Sequence, residues 1–170
     1  MRGRNFKVIC HPGARVNNII NSVEKLGKDT NFCCNCVREI FIVVGGNDTQ
    51  NGTMESIPGI VDSFCTLLGV LSDTFLFAMV NMFSLIPRCV KDTQHLKCMN
   101  IVNDELKLEC LYHDNVKFIN VFSNFLDRKI LRQGKVGLNT KLYRKDLIHF
   151  SDVGNSVLAK VIIGVTYNPY

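Results

Sequence analysis

The sequence predicts an α/β fold of three layers, with a mainly parallel sheet between helices, in a single domain spanning residues 1–170. Three observations carry this reading. Apolar, β-branched runs such as Glu-Ile-Phe-Ile-Val-Val at 39–44 are continuous rather than alternating, the pattern of strands covered on both faces. Such runs alternate with segments of helical spacing, and strand–helix alternation implies parallel pairing. A length of 170 residues with 46% hydrophobic content supports one core and leaves a second domain cramped.

The elements follow in order. A short apolar run predicts a strand at 6–10, broken by His11-Pro12-Gly13. Val16, Ile19, Ile20 and Val23 recur at helical spacing and predict a helix over 14–26. The run at 40–44 predicts the next strand, closed by Gly45-Gly46 and a polar loop. Ile60, Phe64, Leu67, Leu68 and Leu71 share one face of a helix over 57–71. A further apolar element over 76–85 ends at Pro87-Arg88. Leu96, Met99, Val102, Leu106 and Cys110 predict a helix over 94–111, and 116–121 reads as a strand. Residues 123–145 are polar and loop-like, and Val153, Val157 and Val161 mark a last helix over 152–163.

An ordinary apolar fraction and a net charge of +5 exclude disorder as the main state. The 12 glycines and 4 prolines have no period, which excludes a collagen-like or repeat chain. The apolar stretch at 64–87 is long, but Ser72-Asp73-Thr74 interrupts it. An Asp at mid-span is costly in lipid, so two buried elements are expected and no membrane span. Of eight cysteines, Cys10, Cys65, Cys89 and Cys110 lie in apolar runs, and residues 1–20 lack an apolar leader. Reduced thiols and a cytoplasmic location are expected. Cys33-Cys34-Asn35-Cys36 offers half a metal site, and no second pair follows at ligand spacing, so neither metal nor cofactor is expected. The N-glycosylation pattern occurs at Asn47-Asp48-Thr49 and Asn51-Gly52-Thr53, where chance alone accounts for it. Cationic residues gather at Arg2/Arg4, over 128–135 and over 141–145. They are compatible with a nucleic-acid partner, but without interleaved aromatics a solvated surface is the commoner meaning.

In a parallel sheet, functional residues sit beyond the carboxyl ends of the strands. Gly45-Gly46-Asn47-Asp48 lies at such an end. The glycines allow a close approach, and the Asn47 amide is the kind of donor that stabilises an oxyanion; a plain Gly-Asn-Asp turn has the same spelling. Asp146-Leu147-Ile148-His149 sets a carboxylate three residues from an imidazole, the spacing of a general base with its orienting partner. A loop histidine with a local hydrogen bond fits that spelling equally well. His11, His95 and His113 read as structural or exposed.

Taken together, these blocks resemble the SGNH (GDSL-like) hydrolase and esterase family. Gly45-Gly46-Asn47-Asp48 is similar to the family's G-x-N-D block, and Asp146 to His149 to its late D-x-x-H block. Pro12-Gly13-Ala14 stands where the family carries its oxyanion-hole glycine, and Leu85-Ile86-Pro87-Arg88 resembles a strand end common in it. The spelling is also similar to esterase domains of retrotransposon-type reading frames. The resemblance runs from about residue 5 to the end. It implies acyl transfer from a small ester, with His149 as base, Asp146 orienting it, and Asn47 with the Gly13 N–H as oxyanion hole. Gly45, Gly46 and Asp48 would support the loop.

One block is absent. The family's serine lies in a Gly-Asp-Ser segment ending its first strand, and no such segment occurs here. Ser22, Ser56, Ser63, Ser72, Ser84, Ser123, Ser151 and Ser156 all follow Pro12. The resemblance therefore implies a truncated domain without its first strand and nucleophile, inactive as it stands, with a gap in the sheet between 6–10 and 40–44. The alternative is a non-catalytic module of the same fold that binds nucleic acid or protein. Oligomeric state is not legible.

Overall fold

The computed structural model describes residues 7–50, 52–88, 93–133, 135 and 137–167. Its sheet has three parallel strands in the order β1 (Glu39–Ile42), β2 (Met79–Phe83), β3 (Val116–Ile119). The helices are α1 (Val16–Lys28), α2 (Ile57–Thr74), α3 (Thr93–Cys110), α4 (Arg128–Arg132) and α5 (Asp152–Tyr167).

Side chains alternate along each strand, and the alternation sorts the core into two clusters. Ile40, Ile42, Val80, Met82, Val116 and Phe118 pack with α1, α2 and α3. Phe41, Phe83 and Ile119 face the other way, toward Val157, Leu158, Val161 and Ile162 of α5. The result is the three-layer arrangement expected from the sequence. Strand register places Phe41, Asn81 and Lys117 side by side.

Helix α2 forms the centre of the first cluster. Its Phe64, Leu67, Leu68 and Leu71 are almost completely buried, each worth about 1.5–3 kcal/mol relative to exposure. Residues Met54–Thr74 are long and apolar enough, by length and composition, to cross a membrane. In this fold their stripe packs against α1, α3 and the sheet. The helix ends at Thr74, as the polar break predicts. Strand β2 starts only at Met79, because Phe75 and Ala78 turn into the core while Leu76 and Phe77 point outward.

The structure corrects several expectations. The strand expected at 6–10 does not form: residues 7–10 have no ladder, and Val8 is 89% exposed; Phe6 lies outside the described residues. No neighbouring strand offers them hydrogen bonds, so apolar content alone cannot hold them in a sheet. The expected strand over 40–44 ends at Ile42, since Gly45 turns the chain away with φ +97°. Residues 123–145 are not all loop: Asp127 caps α4, its Oδ1 accepting the N–H of Lys129 and Ile130. Finally, Cys33 and Cys36 form a disulfide, their Cα atoms 5.4 Å apart across a 3₁₀ turn, so thiols are not reduced throughout. Cys10, Cys34, Cys65, Cys98 and Cys110 are free, and Cys89 lies outside the described residues.

Residues 7–14 nonetheless follow a definite course. The Lys7 ammonium lies 4.7 Å from the Phe32 ring, which packs edge-on against Phe75 at the amino end of β2. Seven residues later, Ala14 O accepts a hydrogen bond from Asn47, beyond the carboxyl end of β1. The segment therefore passes from the Phe32–Phe75 contact to the Asn47 loop, with no backbone hydrogen bond to β1 among the described residues. Strand β1 keeps an open edge, and Ile40, Phe41 and Ile42 are only half-buried.

Candidate active site

Three loops gather beyond the carboxyl ends of the strands. After β1, the Gly45–Asp48 turn is closed by Asp48 N–H and Thr49 N–H to Gly45 O. A Cβ on Gly45 would lie 2.3 Å from Leu85 and 2.7 Å from Phe64, so both the positive φ and the packing demand glycine. At Gly46 a Cβ would meet the Arg88 guanidinium at 2.5 Å.

Asn47 is held from both ends. Its Nδ2 donates to Ala14 O at 2.9 Å, and its Oδ1 accepts from Arg88 Nη2 at 2.5 Å. One amide hydrogen remains for another acceptor. Gly13, with φ +73°, precedes Ala14 and so neighbours this amide. Asp48 turns away from solvent: both its oxygens accept from Val16 N–H at the start of α1, at 3.2 and 3.3 Å. Burial raises its carboxyl above the ordinary value, against the lowering effects of the Val16 N–H and of the Arg15 and Arg88 charges. Its part is structural, anchoring α1 to the loop.

The loop carrying Asp146 and His149 is pinned by aromatic packing. Tyr143 and Phe150 pair across a bridge, and both rings contact Phe125. The Tyr143 hydroxyl donates to Pro87 O, next to Arg88. Between these anchors the chain turns tightly, with Arg144 N–H bonded to His149 O at 2.8 Å and Leu147 at φ +56°. Asp146 organises the turn: Oδ1 accepts the N–H of Ile148 and of His149 at 2.9 Å each, while Oδ2 lies 2.7 Å from His149 Nδ1. The His149 side chain, its N–H and that of Ile148 together hold the Asp146 carboxyl well below the usual carboxylate range. An ionised carboxylate only accepts, so Nδ1 carries the proton and the Nε2 lone pair is left outward. The imidazole is 71% exposed.

The two halves are linked by contacts: Asn47 to Arg88, its neighbour Pro87 to Tyr143, and Arg144 to His149. Sequence reasoning missed Arg88 and Tyr143 as the connectors, and Asp127 as a cap. The Pro87-Arg88 spelling was visible, but nothing local shows that Arg88 reaches across Gly46. Seven of the eight serine hydroxyls are engaged elsewhere, and Ser123 lines a surface depression with Asn124 and Lys129. Ser22, Ser63 and Ser156 bond back within their own helices, and Ser56, Ser72, Ser84 and Ser151 hold turns and loops. No serine is bonded to His149 among the described residues. No group of three or more His, Cys, Asp or Glu that could hold a metal occurs among them either.

No family model matches the sequence, and no curated protein matches it. Solved structures do match the fold. A putative platelet activating factor from Streptococcus pneumonia superposes with a TM-score of 0.67 at 16% identity, covering 89% of this chain and 67% of the other. The OSK domain of Drosophila Oskar gives 0.68 at 14% identity, covering 93% and 72%. A carbohydrate esterase of family 3 from Talaromyces cellulolyticus gives 0.60 at 16% identity, covering 89% and 66%. The fold is SGNH-like. At these identities the likeness concerns architecture alone. About a third of each neighbour's length has no counterpart in this chain.

Proposed function

We propose that this chain is an SGNH-type acyl-hydrolase domain holding the base and oxyanion groups of an esterase site without the serine nucleophile, and inactive as it stands. The observation that carries this reading is the Asp146–His149 pair, 2.7 Å apart on a pinned loop of an SGNH-like fold, with Nε2 outward. Given a serine, His149 Nε2 takes the Oγ proton as Oγ attacks the carbonyl carbon of a small acyl ester. The imidazolium, steadied by Asp146, returns that proton to the departing alkoxide, and water then releases the acyl group by the same exchange. The remaining Asn47 amide hydrogen and the Gly13 N–H would receive the oxyanion. A carbohydrate esterase among the structural neighbours supports ester chemistry. The edge of β1, unpaired among the described residues, is compatible with a further strand there.

The test is hydrolysis of p-nitrophenyl acetate. The chain should turn over no faster than its His149→Ala variant. Fusing a strand that ends in Gly-Asp-Ser before Met1 should produce His149-dependent turnover, together with a higher Tm as the open edges pair. His149-dependent turnover without the added segment would sink the reading, since another nucleophile would then be at work. A fused protein that gains stability but no activity would sink the catalytic assignment and leave the fold intact.

A further inference from the structure

The polar segment after β3 has a property that the acyl-transfer reading does not use. Residues 128–145 carry seven of the chain's 20 Lys and Arg and no Asp or Glu; the rest of the chain has 13 against 15 acidic residues. The positive charge of the molecule is therefore local to this segment. Lys129, Arg132, Lys135, Lys141, Arg144 and Lys145 are all exposed, and none forms an ion pair among the described residues.

Part of this segment lines a shallow, open depression of about 510 Å³. Lys129 and Lys141 stand on its wall with Ser123, Asn124 and Asn139, and one acid, Asp127, shares it. The Asp127 Oδ1 accepts from the backbone of α4, and no ion pair joins Asp127 to either lysine among the described residues, yet its carboxylate offsets part of their charge. The side chains of Asn124 and Asn139 make no hydrogen bond among the described residues either. A surface with two ammonium groups against one carboxylate, two amides and a hydroxyl can receive anionic oxygens.

We propose that this depression and the exposed cationic residues of the same segment bind the phosphodiester backbone of nucleic acid. One small anion would meet only Lys129 and Lys141, whereas a polyanion can engage more of the six exposed cations. An anionic membrane surface is disfavoured, because contact of that kind adds exposed apolar anchors. Among the described residues of this segment, Leu131 is the one exposed large hydrophobic, at 37%. Phe125 and Tyr143 are buried and offer no stacking platform. Recognition therefore rests on phosphates, without preference among bases. The site uses none of the groups assigned to acyl transfer and stands or falls separately from it.

Fluorescence anisotropy with labelled 20-mers of U and of A tests this on the full chain. With four phosphate contacts, affinity should fall about 50-fold between 50 and 200 mM salt. The two oligomers should bind alike, within about twofold. Lys129→Glu with Lys141→Glu should weaken binding more than about tenfold. Lys25→Glu with Lys28→Glu on α1 should change it less than about twofold, and circular dichroism and Tm should match the parent for both pairs. A Lys129→Gln, Lys141→Gln chain serves if the glutamates disturb folding. Absence of binding at 50 mM salt would overturn the proposal. So would binding indifferent to positions 129 and 141, or binding to vesicles containing phosphatidylserine in preference to both oligomers.

Discussion

At the scale of single residues, the Asp146 carboxylate does most with least. It serves three donors, His149 Nδ1–H and two backbone N–H groups, from an exposed position. A carboxyl that is depressed in the folded state contributes its order above its ordinary value, here 3.8, and loses it only as pH falls through the lower folded value. The Asp146 side-chain carbon should therefore still report an ionised group by NMR at pH 3, where ordinary carboxyls are mostly protonated. A midpoint near 3.8 would show that the pair does not persist in solution. Gly45 makes a second residue-scale case. Gly45→Ala meets Leu85 and Phe64 and forces a side chain onto φ +97°. Strain and overpacking together should cost about 2–5 kcal/mol in denaturant unfolding; a loss under about 1 kcal/mol would mean that the turn relaxes.

At the scale of elements, β2 is the best-covered strand and carries an anomaly. Asn81 is buried at its centre, and neither its Nδ2 nor its Oδ1 has a partner among the described residues. An unsatisfied buried amide costs about 1–3 kcal/mol. Asn81→Val removes both groups and suits a strand, so Tm should rise by about 2–4 °C for each kcal/mol recovered. A fall in Tm would show that the amide has a partner in solution. By contrast Asn103, on α3, uses its Oδ1 to accept Leu85 N–H at 2.7 Å just past β2. The same residue type thus secures one end of the strand and burdens its middle.

At the scale of the molecule, the sheet is asymmetric. One face is covered by α1, α2 and α3, the other by α5, and β1 pairs with no strand on its outer side among the described residues. Edges of this kind are usually protected by charge, proline or a bulge, yet β1 reads Glu-Ile-Phe-Ile with Val43 following at 46% exposure. The chain should self-associate through this edge at micromolar concentration. Val43→Lys should shift sedimentation toward monomer without lowering Tm. Equal association in both would place the sticky surface elsewhere, for instance at Leu76 and Phe77, which are 64% and 66% exposed.

Much of this was legible in the residues themselves. A continuous apolar run marked β1, and mostly apolar runs marked β2 and β3, because strands covered on both faces show little polar surface. The 3.6-residue stripe marked α2, whose Phe64, Leu67, Leu68 and Leu71 became the core. Gly45-Gly46 and Asp146…His149 were visible as turn and pair because their bonds span only a few residues. Other features depended on the tertiary structure. The strand expected at 6–10 failed because a strand exists only through hydrogen bonds to another, and no spelling of Val8 and Ile9 supplies the neighbour. Arg88 reaching Asn47, 41 residues away, and Tyr143 reaching Pro87, 56 away, follow from strand order, which places distant loops at one sheet edge. The cationic residues over 128–145 were countable in the chain, but only the fold turns Lys129 and Lys141 toward one depression. Local composition decides which elements can form; which of them find partners, and which side chains meet, is set by long-range packing.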